Sequence, residues 1–320
     1  MAKTIVTGGA GLIGSHLCER LLNDGHSVLC VDNLLTGDKK NVEHLEAHEN
    51  FSFIDFDVIK GLPESMSFDA LFHLASPASP NHHSEISYHA LPMETMLVNT
   101  TGTLELLKRV KEQNARFLFA STSEAYGDPD QHPQKETYNG NVSSTGPRSV
   151  YDEAKRFGET LTAYFYRDQG VDTRIARIFN TYGPNMRKDD KRMIIDFINQ
   201  ALKNEPITVF GDGSQTRSLC YVTDTVDGLV KLLFTDRAKG EIVNIGSTQE
   251  HTVMEYAELV KKITGSESEI VTSEALPKDD PLKRRPDITK AKELLDWEPK
   301  VPLEEGLMKT VQYLKSQNIT

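Results

Sequence analysis

The chain is poor in cysteine, in positive charge and in long apolar runs, and each shortage removes a class of function. Its 320 residues hold three cysteines, Cys18, Cys30 and Cys220. These are odd in number and too far apart for a disulfide framework or a cysteine-based metal cluster, which points to a reducing compartment and a cytoplasmic protein. Lys and Arg number 36 against 47 Asp and Glu, a formal charge of -11. Neither nucleic acid nor an anionic membrane is an expected partner for such a surface. An anionic ligand would need a local basic pocket. No apolar run approaches the about 20 residues that span a bilayer. The opening MAKTIVTGG enters a strand pattern at once, without the charged-then-apolar layout of a secretory signal.

What is present is an alternation. Short β-branched or aromatic runs stand at TIVTG (4–8), SVLCVD (27–32), FSFIDFD (51–57), ALFHLA (70–75), RFLFAS (116–121) and DTRIARI (172–178). Longer helical patterns separate them and hairpin turns do not, which predicts right-handed crossovers and an α/β fold with a doubly wound parallel sheet. After FNTYGPN the regularity is lost. A helix is expected near 190–203, a strand at 207–210, a Gly-rich turn at GDGSQ, an apolar run at 241–246 and a helix at 253–264. A charged, Pro-containing segment (277–287) and a last helix near the C-terminus follow. The division expected is a sheet domain over 1–179, into which 220–250 partly returns, and a smaller α/β lobe over 180–320.

TGGAGLIGSHL places Gly8, Gly11 and Gly14 after the first strand and at the opening of an amphipathic helix. Absent side chains let the backbone turn tightly and let a pyrophosphate approach the helix N-terminus. Asp32 ends the second strand about 20 residues further on, where a carboxylate accepts from an adenosine ribose hydroxyl and repels a 2′-phosphate. Together these indicate a Rossmann-type site that takes NAD in preference to NADP. Asp57, at the end of the third strand, is read either as an adenine contact or as a turn residue.

In SVYDEAKRFGETLTAYF, the residues Val150, Ala154, Phe157, Leu161 and Tyr164 recur at helical spacing and are expected to form the buried stripe. Tyr151 and Lys155 stand four apart on the neighbouring face, together with Gly158, which permits close approach of another element. A phenol is a poor base at neutral pH, and a nearby ammonium favours its ionised form. Thr122, Ser123 and Glu124 close the fifth strand, whose C-terminal end faces the ligand crevice of a parallel sheet.

TGGAGLIGSHL, Asp32-Asn33, HLASPASP, STSEAYGDP, the Tyr-x-x-x-Lys helix, RIFNTYGP, GDGSQTR and RRPDITKAKELLDWEP occur in one order along almost the whole chain. The sequence thereby resembles the extended short-chain dehydrogenase/reductase family acting on nucleotide sugars, and within it the UDP-glucuronate decarboxylases, or UDP-xylose synthases. The resemblance implies Tyr151 as base, Lys155 as its partner and Thr122 as the residue that aligns the sugar 4-hydroxyl. Supporting roles fall to Ser123, Glu124 and Arg284. It implies cofactor contacts at Leu12, Ile13, Asn33, Gly37, Val58, Leu74, Ala75, Ser76 and Asn99, beside the glycines, Asp32, Asp57, Tyr151 and Lys155. Substrate contacts fall to Pro77, Asn180, Arg192, Arg217 and Arg284. It also implies a homodimer built on the Tyr151 helix and the helix near 94–113.

The segment NHHSEISYHALPMETMLVN departs from that pattern. It is longer, it is expected to line the sugar-acid end of the pocket, and Leu97 stands where the family often has a substrate-contacting Lys. His82, His83 and His89 lie in it without a carboxylate or cysteine at ligand spacing, so no metal is expected. A nucleotide-sugar 4-epimerase or 4,6-dehydratase is the rival reading, although dehydratases pair an Asp with the Glu where this chain has Ser123-Glu124. A non-catalytic NAD-binding regulator is the third, and the retention of Thr122, Tyr151 and Lys155 speaks against it.

Overall fold

A computed structural model describes residues 1–272, 275 and 283–317. Of the segment expected at 277–287, residues 277–282 lie outside the described ones. Seven strands form the central sheet: β1 (Lys3–Thr7), β2 (Ser27–Asp32), β3 (Phe51–Asp55), β4 (Ala70–His73), β5 (Arg116–Thr122), β6 (Asp172–Ile178) and β7 (Ile242–Ile245). Their order is β7-β6-β5-β4-β1-β2-β3, and every neighbouring pair is parallel. The six strands read from the sequence are all there, and the apolar run at 241–246 supplies the seventh. Three of them stop short of the expected end, β1 by a single residue. Past β3, the Asp57 carboxylate accepts from the Ile59 amide at 3.0 Å and caps a short turn, Val58–Lys60. Past β4, the chain turns to meet the glycine loop.

Phe117, Leu118 and Phe119 of β5 are fully buried, as a parallel strand covered on both faces requires. On one face lie Leu17 and Leu21 of the Leu12–Asn23 helix with Val226, Leu229 and Leu233 of the Val222–Phe234 helix. On the other lie Leu106, Leu107 and Val110 of the Thr103–Gln113 helix with Phe165 of the Ser149–Gln169 helix. The strand order reverses between β1 and β4, so successive crossovers leave in opposite directions and open a crevice at the strands' C-terminal ends.

The smaller lobe is built on the helices Met193–Leu202, Val253–Thr264 and Leu303–Ser316. The middle one starts at a capping box in which Thr252 and Glu255 satisfy each other's backbone amides. A three-stranded sheet joins Glu250–Thr252, Thr216–Ser218 and Lys283–Arg284, and its register sets Arg284 opposite Arg217. All three cysteines are free and buried. Among the described residues no helix is long and apolar enough to cross a membrane.

The Ser149–Gln169 helix corrects the expected stripe. Phe157 is 50% exposed and Tyr164 41%, while Val150 and Leu161 are half-buried and only Ala154 is buried. The buried side carries Tyr151, Asp152, Lys155, Gly158, Glu159, Thr162 and Phe165 instead. Gly158 sets the rotation, because a Cβ there would stand 2.3 Å from Phe119 Cζ of β5. The helix lies against the sheet by its one residue without a side chain, which turns the larger apolar residues outward.

Candidate active site

The crevice begins at the glycine turn. Gly8 has φ of 73°, and a Cβ there would lie 2.6 Å from the Ala75 amide nitrogen; one on Gly14 would lie 2.1 Å from the Gly8 carbonyl oxygen. Those contacts are too short for any other residue, so the turn depends on both. The helix that follows has no side-chain cap at Gly11, which leaves its first-turn N–H groups available to an anion. Asp32 is buried, and its carboxylate oxygens accept from the Ala10 and Leu34 amides at 2.9 Å each. Burial raises its pKa, and those two amides oppose the rise. Gly37 closes over it, since a Cβ there would be 3.0 Å from both carboxylate oxygens.

A cavity of ≈ 260 Å³ follows from this turn along the strand ends. Its walls include Gly8, Gly11, Leu12, Ile13, Gly14, Asp32, Asn33 and Gly37, then Asp57, Val58, Leu74, Ala75, Ser76 and Pro77. Asp57 is thus both a turn cap and a wall residue. Asn99 stands behind the wall: its side-chain amide donates to Ser76 Oγ at 2.9 Å and to the Thr95 carbonyl at 2.8 Å. A glycine cradle at a helix N-terminus, followed by a carboxylate at the end of β2, fits a dinucleotide with an unmodified ribose.

The same cavity reaches Thr122, Ser123, Glu124, Tyr151 and Lys155. The Thr122 hydroxyl accepts from the Glu124 amide at 3.1 Å. Lys155 Nζ donates to the Ala120 carbonyl at 2.8 Å and lies 5.7 Å from the centre of the Tyr151 ring. Burial brings the Lys155 ammonium down to about 7, with Glu159 opposing. Tyr151 departs from expectation: burial and the Glu124 charge push its phenol upward, outweighing the neighbouring Thr122 hydroxyl and the Arg192 charge. Lys155 alone therefore does not ionise it.

Beyond Tyr151 the wall is made of charge. Arg148 Nη2 lies 2.7 Å from Glu124 Oε2, and Arg284 Nη1 lies 3.5 Å from Oε1. Burial would raise Glu124, but these two cations outweigh it and hold the carboxyl down to about 2. Asp152 goes the other way, raised to about 8 by burial and by the Glu124 charge, with Arg148 opposing. Tyr88 donates to Glu124 at 3.4 Å and stacks on Tyr151, with ring centres 4.8 Å apart and planes 9° from parallel.

A second cavity of ≈ 470 Å³ continues from Glu124 and Asn180, which line both. Arg148, Lys191, Arg192, Arg217 and Arg284 line it among Phe197, Phe210 and Val253. This is the local basic pocket that an acidic protein needs for an anionic ligand. Arg192 Nε also lies 2.9 Å from Asp190 Oδ1.

The long segment divides. His82 and His83 line the larger cavity, whereas Leu97 lies on neither and is 37% exposed on the outer side of the Pro92–Leu97 helix. The segment therefore reaches the cavities through His82, His83, Ile86, Glu94 and Val98 and not through Leu97. His82 stacks on His89 at 3.7 Å, and burial, His82 and Arg148 lower His89 to about 4. Among the described residues no three His, Cys, Asp or Glu side chains gather in a metal-holding group. Tyr88, Arg148 and Asp152 were not singled out from the sequence. Two of them carried a signal, since Arg148, Tyr151, Asp152, Lys155 and Glu159 recur at one helical face.

Residues 4–246 match the model of the NAD dependent epimerase/dehydratase family. The chain belongs to that family. UDP-glucuronic acid decarboxylase 1 of Danio rerio is 50% identical over 98% of this chain and 73% of its own length. The Arabidopsis thaliana protein named UDP-glucuronic acid decarboxylase 1 is 47% identical over 98% and 70%. Among solved structures, the UDP-glucuronic acid 4-epimerase of Bacillus cereus, in complex with UDP-glucuronic acid and NAD, superposes with a TM-score of 0.84 at 29% identity, covering 98% of this chain and 99% of that one. The UDP-glucose 4-epimerase of Thermotoga maritima, with UDP-glucose, gives 0.86 at 32% identity, covering 99% of both. As a member of this family, the chain is NAD-dependent.

Proposed function

We propose that the protein decarboxylates UDP-glucuronate to UDP-xylose through a 4-keto sugar. The observation that carries this reading is Glu124, gripped between Arg148 and Arg284 beside Tyr151 where the two cavities meet. NAD, when bound, takes a hydride from the sugar and returns it, so that none is consumed. Tyr151 takes the 4-hydroxyl proton, Thr122 aligns that hydroxyl, and Lys155 holds positive charge beneath the ring. A ketone at C4 makes the C5 carboxylate a β-keto acid, and its loss as CO2 leaves an electron pair delocalised onto the C4 oxygen. Tyr151, now protonated, and Thr122 donate to that oxygen. Glu124, Ser123 and Arg284 position the ring, and Asn180, Arg192 and Arg217 hold the nucleotide diphosphate with Pro77 at its border.

Residues 1–179, with the return of 220–250, serve the cofactor, and 180–320 serve the nucleotide sugar. A cytoplasmic homodimer completes the reading. Phe157 and Tyr164 on one helix and Met93 and Leu97 on its neighbour are exposed apolar residues, and four such helices from two copies would cover them. Sedimentation that shows only monomer at micromolar concentration contradicts the dimer. The activity is tested by mass spectrometry of products from UDP-glucuronate, UDP-glucose and dTDP-glucose. A UDP-pentose from the first supports the proposal; UDP-galacturonate would make the protein a 4-epimerase, and a 4-keto-6-deoxy sugar from either neutral substrate a dehydratase.

A further inference from the structure

The long segment before the Pro92–Leu97 helix carries a tyrosine into the interior. Tyr88 is fully buried yet lines neither cavity. Its ring lies on that of Tyr151, with centres 4.8 Å apart and planes 9° from parallel, the offset stacking that aromatic pairs prefer. Its hydroxyl reaches Glu124 Oε2 at 3.4 Å, the oxygen that Arg148 grips at 2.7 Å. A hydrogen bond of that length is weak, so the ring contact is the stronger tie. The segment itself is pinned. The Tyr88 amide donates to the Ser79 carbonyl at 3.1 Å. The Ser79 and Ser84 hydroxyls donate to the Asp190 and Asp189 carbonyls at 2.9 and 2.8 Å, and the Asn81 side chain donates to the Lys191 carbonyl. Lys191 Nζ returns a bond to the His83 carbonyl at 2.9 Å. Tyr88 is thus pressed on Tyr151 from a support fastened to the loop that leads into Arg192.

We propose that Tyr88 is a positioning residue for sugar oxidation: its ring bears on the ring of Tyr151 and keeps the Tyr151 hydroxyl directed at the sugar 4-hydroxyl. This deepens the proposed function and rests on Tyr151 as the base, not on the loss of CO2. Rotation of Tyr151 about its Cα–Cβ bond would swing the hydroxyl out of line, and a ring packed flat on its own blocks that swing on one side. Lys155 cannot serve as the wall, because its Nζ is tied to the Ala120 carbonyl and lies 5.7 Å from the Tyr151 ring centre. Proton transfer needs the base within hydrogen-bond reach of the hydroxyl, and a misplacement of about 1 Å costs about 10²-fold in rate. Tyr88 brings no proton and no charge of its own. Burial and the Glu124 charge raise its phenol far above the usual range, so it stays neutral.

The test uses the NAD-loaded protein and UDP-glucuronate carrying hydrogen or deuterium at C4, with NAD stoichiometry counting the folded sites. Tyr88→Phe keeps the ring and removes the hydroxyl, whereas Tyr88→Leu removes the ring. Per folded site and at saturating sugar, Tyr88→Leu should turn over about tenfold more slowly or worse, with KM changed by less than about threefold. Its C4-deuterium effect should equal or exceed that of the unmodified protein, because the slowed step is the one that breaks the C4–H bond. Tyr88→Phe should keep kcat within about threefold. Near-normal kcat in Tyr88→Leu, a loss confined to KM, a fall in kcat with a smaller deuterium effect, or Tyr88→Phe as slow as Tyr88→Leu overturns the proposal. Where Tyr88→Leu fails to fold, Tyr88→Met fills the space without a ring and replaces it in each comparison. Tyr88→Phe, which keeps the bulk of the side chain, overturns the proposal by itself if it slows tenfold. UDP-galacturonate without CO2 from the unmodified protein would overturn the decarboxylation reading alone, since oxidation at C4 is read through either product.

Discussion

The two ends of the ligand crevice are built from different materials. At the cofactor end the protein offers backbone: glycines at 8 and 14 that no larger residue can replace, uncapped helix amides, and a carboxylate, Asp32, held by two backbone N–H groups. At the sugar end it offers side-chain charge, with Glu124 against Arg148 and Arg284 and the buried Asp152 raised to about 8. Tyr151 stands between them and belongs to both, lining the cofactor cavity and stacked on Tyr88. On the proposed function, the comparison teaches that binding the dinucleotide and choosing the fate of the 4-keto sugar are separable tasks. Backbone geometry carries the first, and buried electrostatics the second, where the low dielectric makes each charge count.

The largest effect should come from the group the two ends share. Tyr151→Phe leaves the ring stacked on Tyr88 and removes only the hydroxyl, so the protein should fold and bind NAD while the rate of sugar oxidation drops by about 10²-fold or more. Steady-state product formation checks this beside NAD binding by calorimetry. Near-normal turnover would move the base elsewhere and dissolve the boundary between the two ends.

A smaller effect is expected wholly within the cofactor end. Asp32→Ala removes an ionised acceptor, and hydrogen bonds to charged groups contribute about 1.5–3 kcal/mol, which corresponds to NAD binding weakened by roughly ten- to a hundredfold. Discrimination against NADP should relax at the same time, and the reaction with pre-bound NAD should change little. The ratio of the two dissociation constants is the measurement. Equal affinity of the unmodified protein for NAD and NADP would contradict the role given to Asp32.

The two ends were also unequally legible in the sequence. The cofactor end is local: Gly8 to Gly14 and Asp32 lie within two strands and one helix, so spacing along the chain is spacing in the crevice. The sheet was legible for the same reason, since β5 and β6 are apolar runs between helical patterns. The sugar end draws Tyr88, Glu124, Asp152 and Arg284 from four separate segments, and no spacing relates them. The stripe on the Tyr151 helix was misread because hydrophobicity was taken as burial. Lys155 and Glu159 are the buried residues there, each satisfied by a specific partner, the Ala120 carbonyl and Arg177, whereas Phe157 and Tyr164 face outward. Leu97, in the segment expected to line the pocket, borders neither cavity.

The central claim is that the charged end commits this chain to losing the C5 carboxyl group once C4 is oxidised. It is tested most directly by incubating the NAD-loaded protein with UDP-glucuronate labelled at the carboxyl carbon and trapping the gas over many turnovers. The account predicts labelled CO2 in equal amount to UDP-pentose, with no net reduced nicotinamide. Recovery of the label in UDP-galacturonate, with no CO2 released, would contradict it.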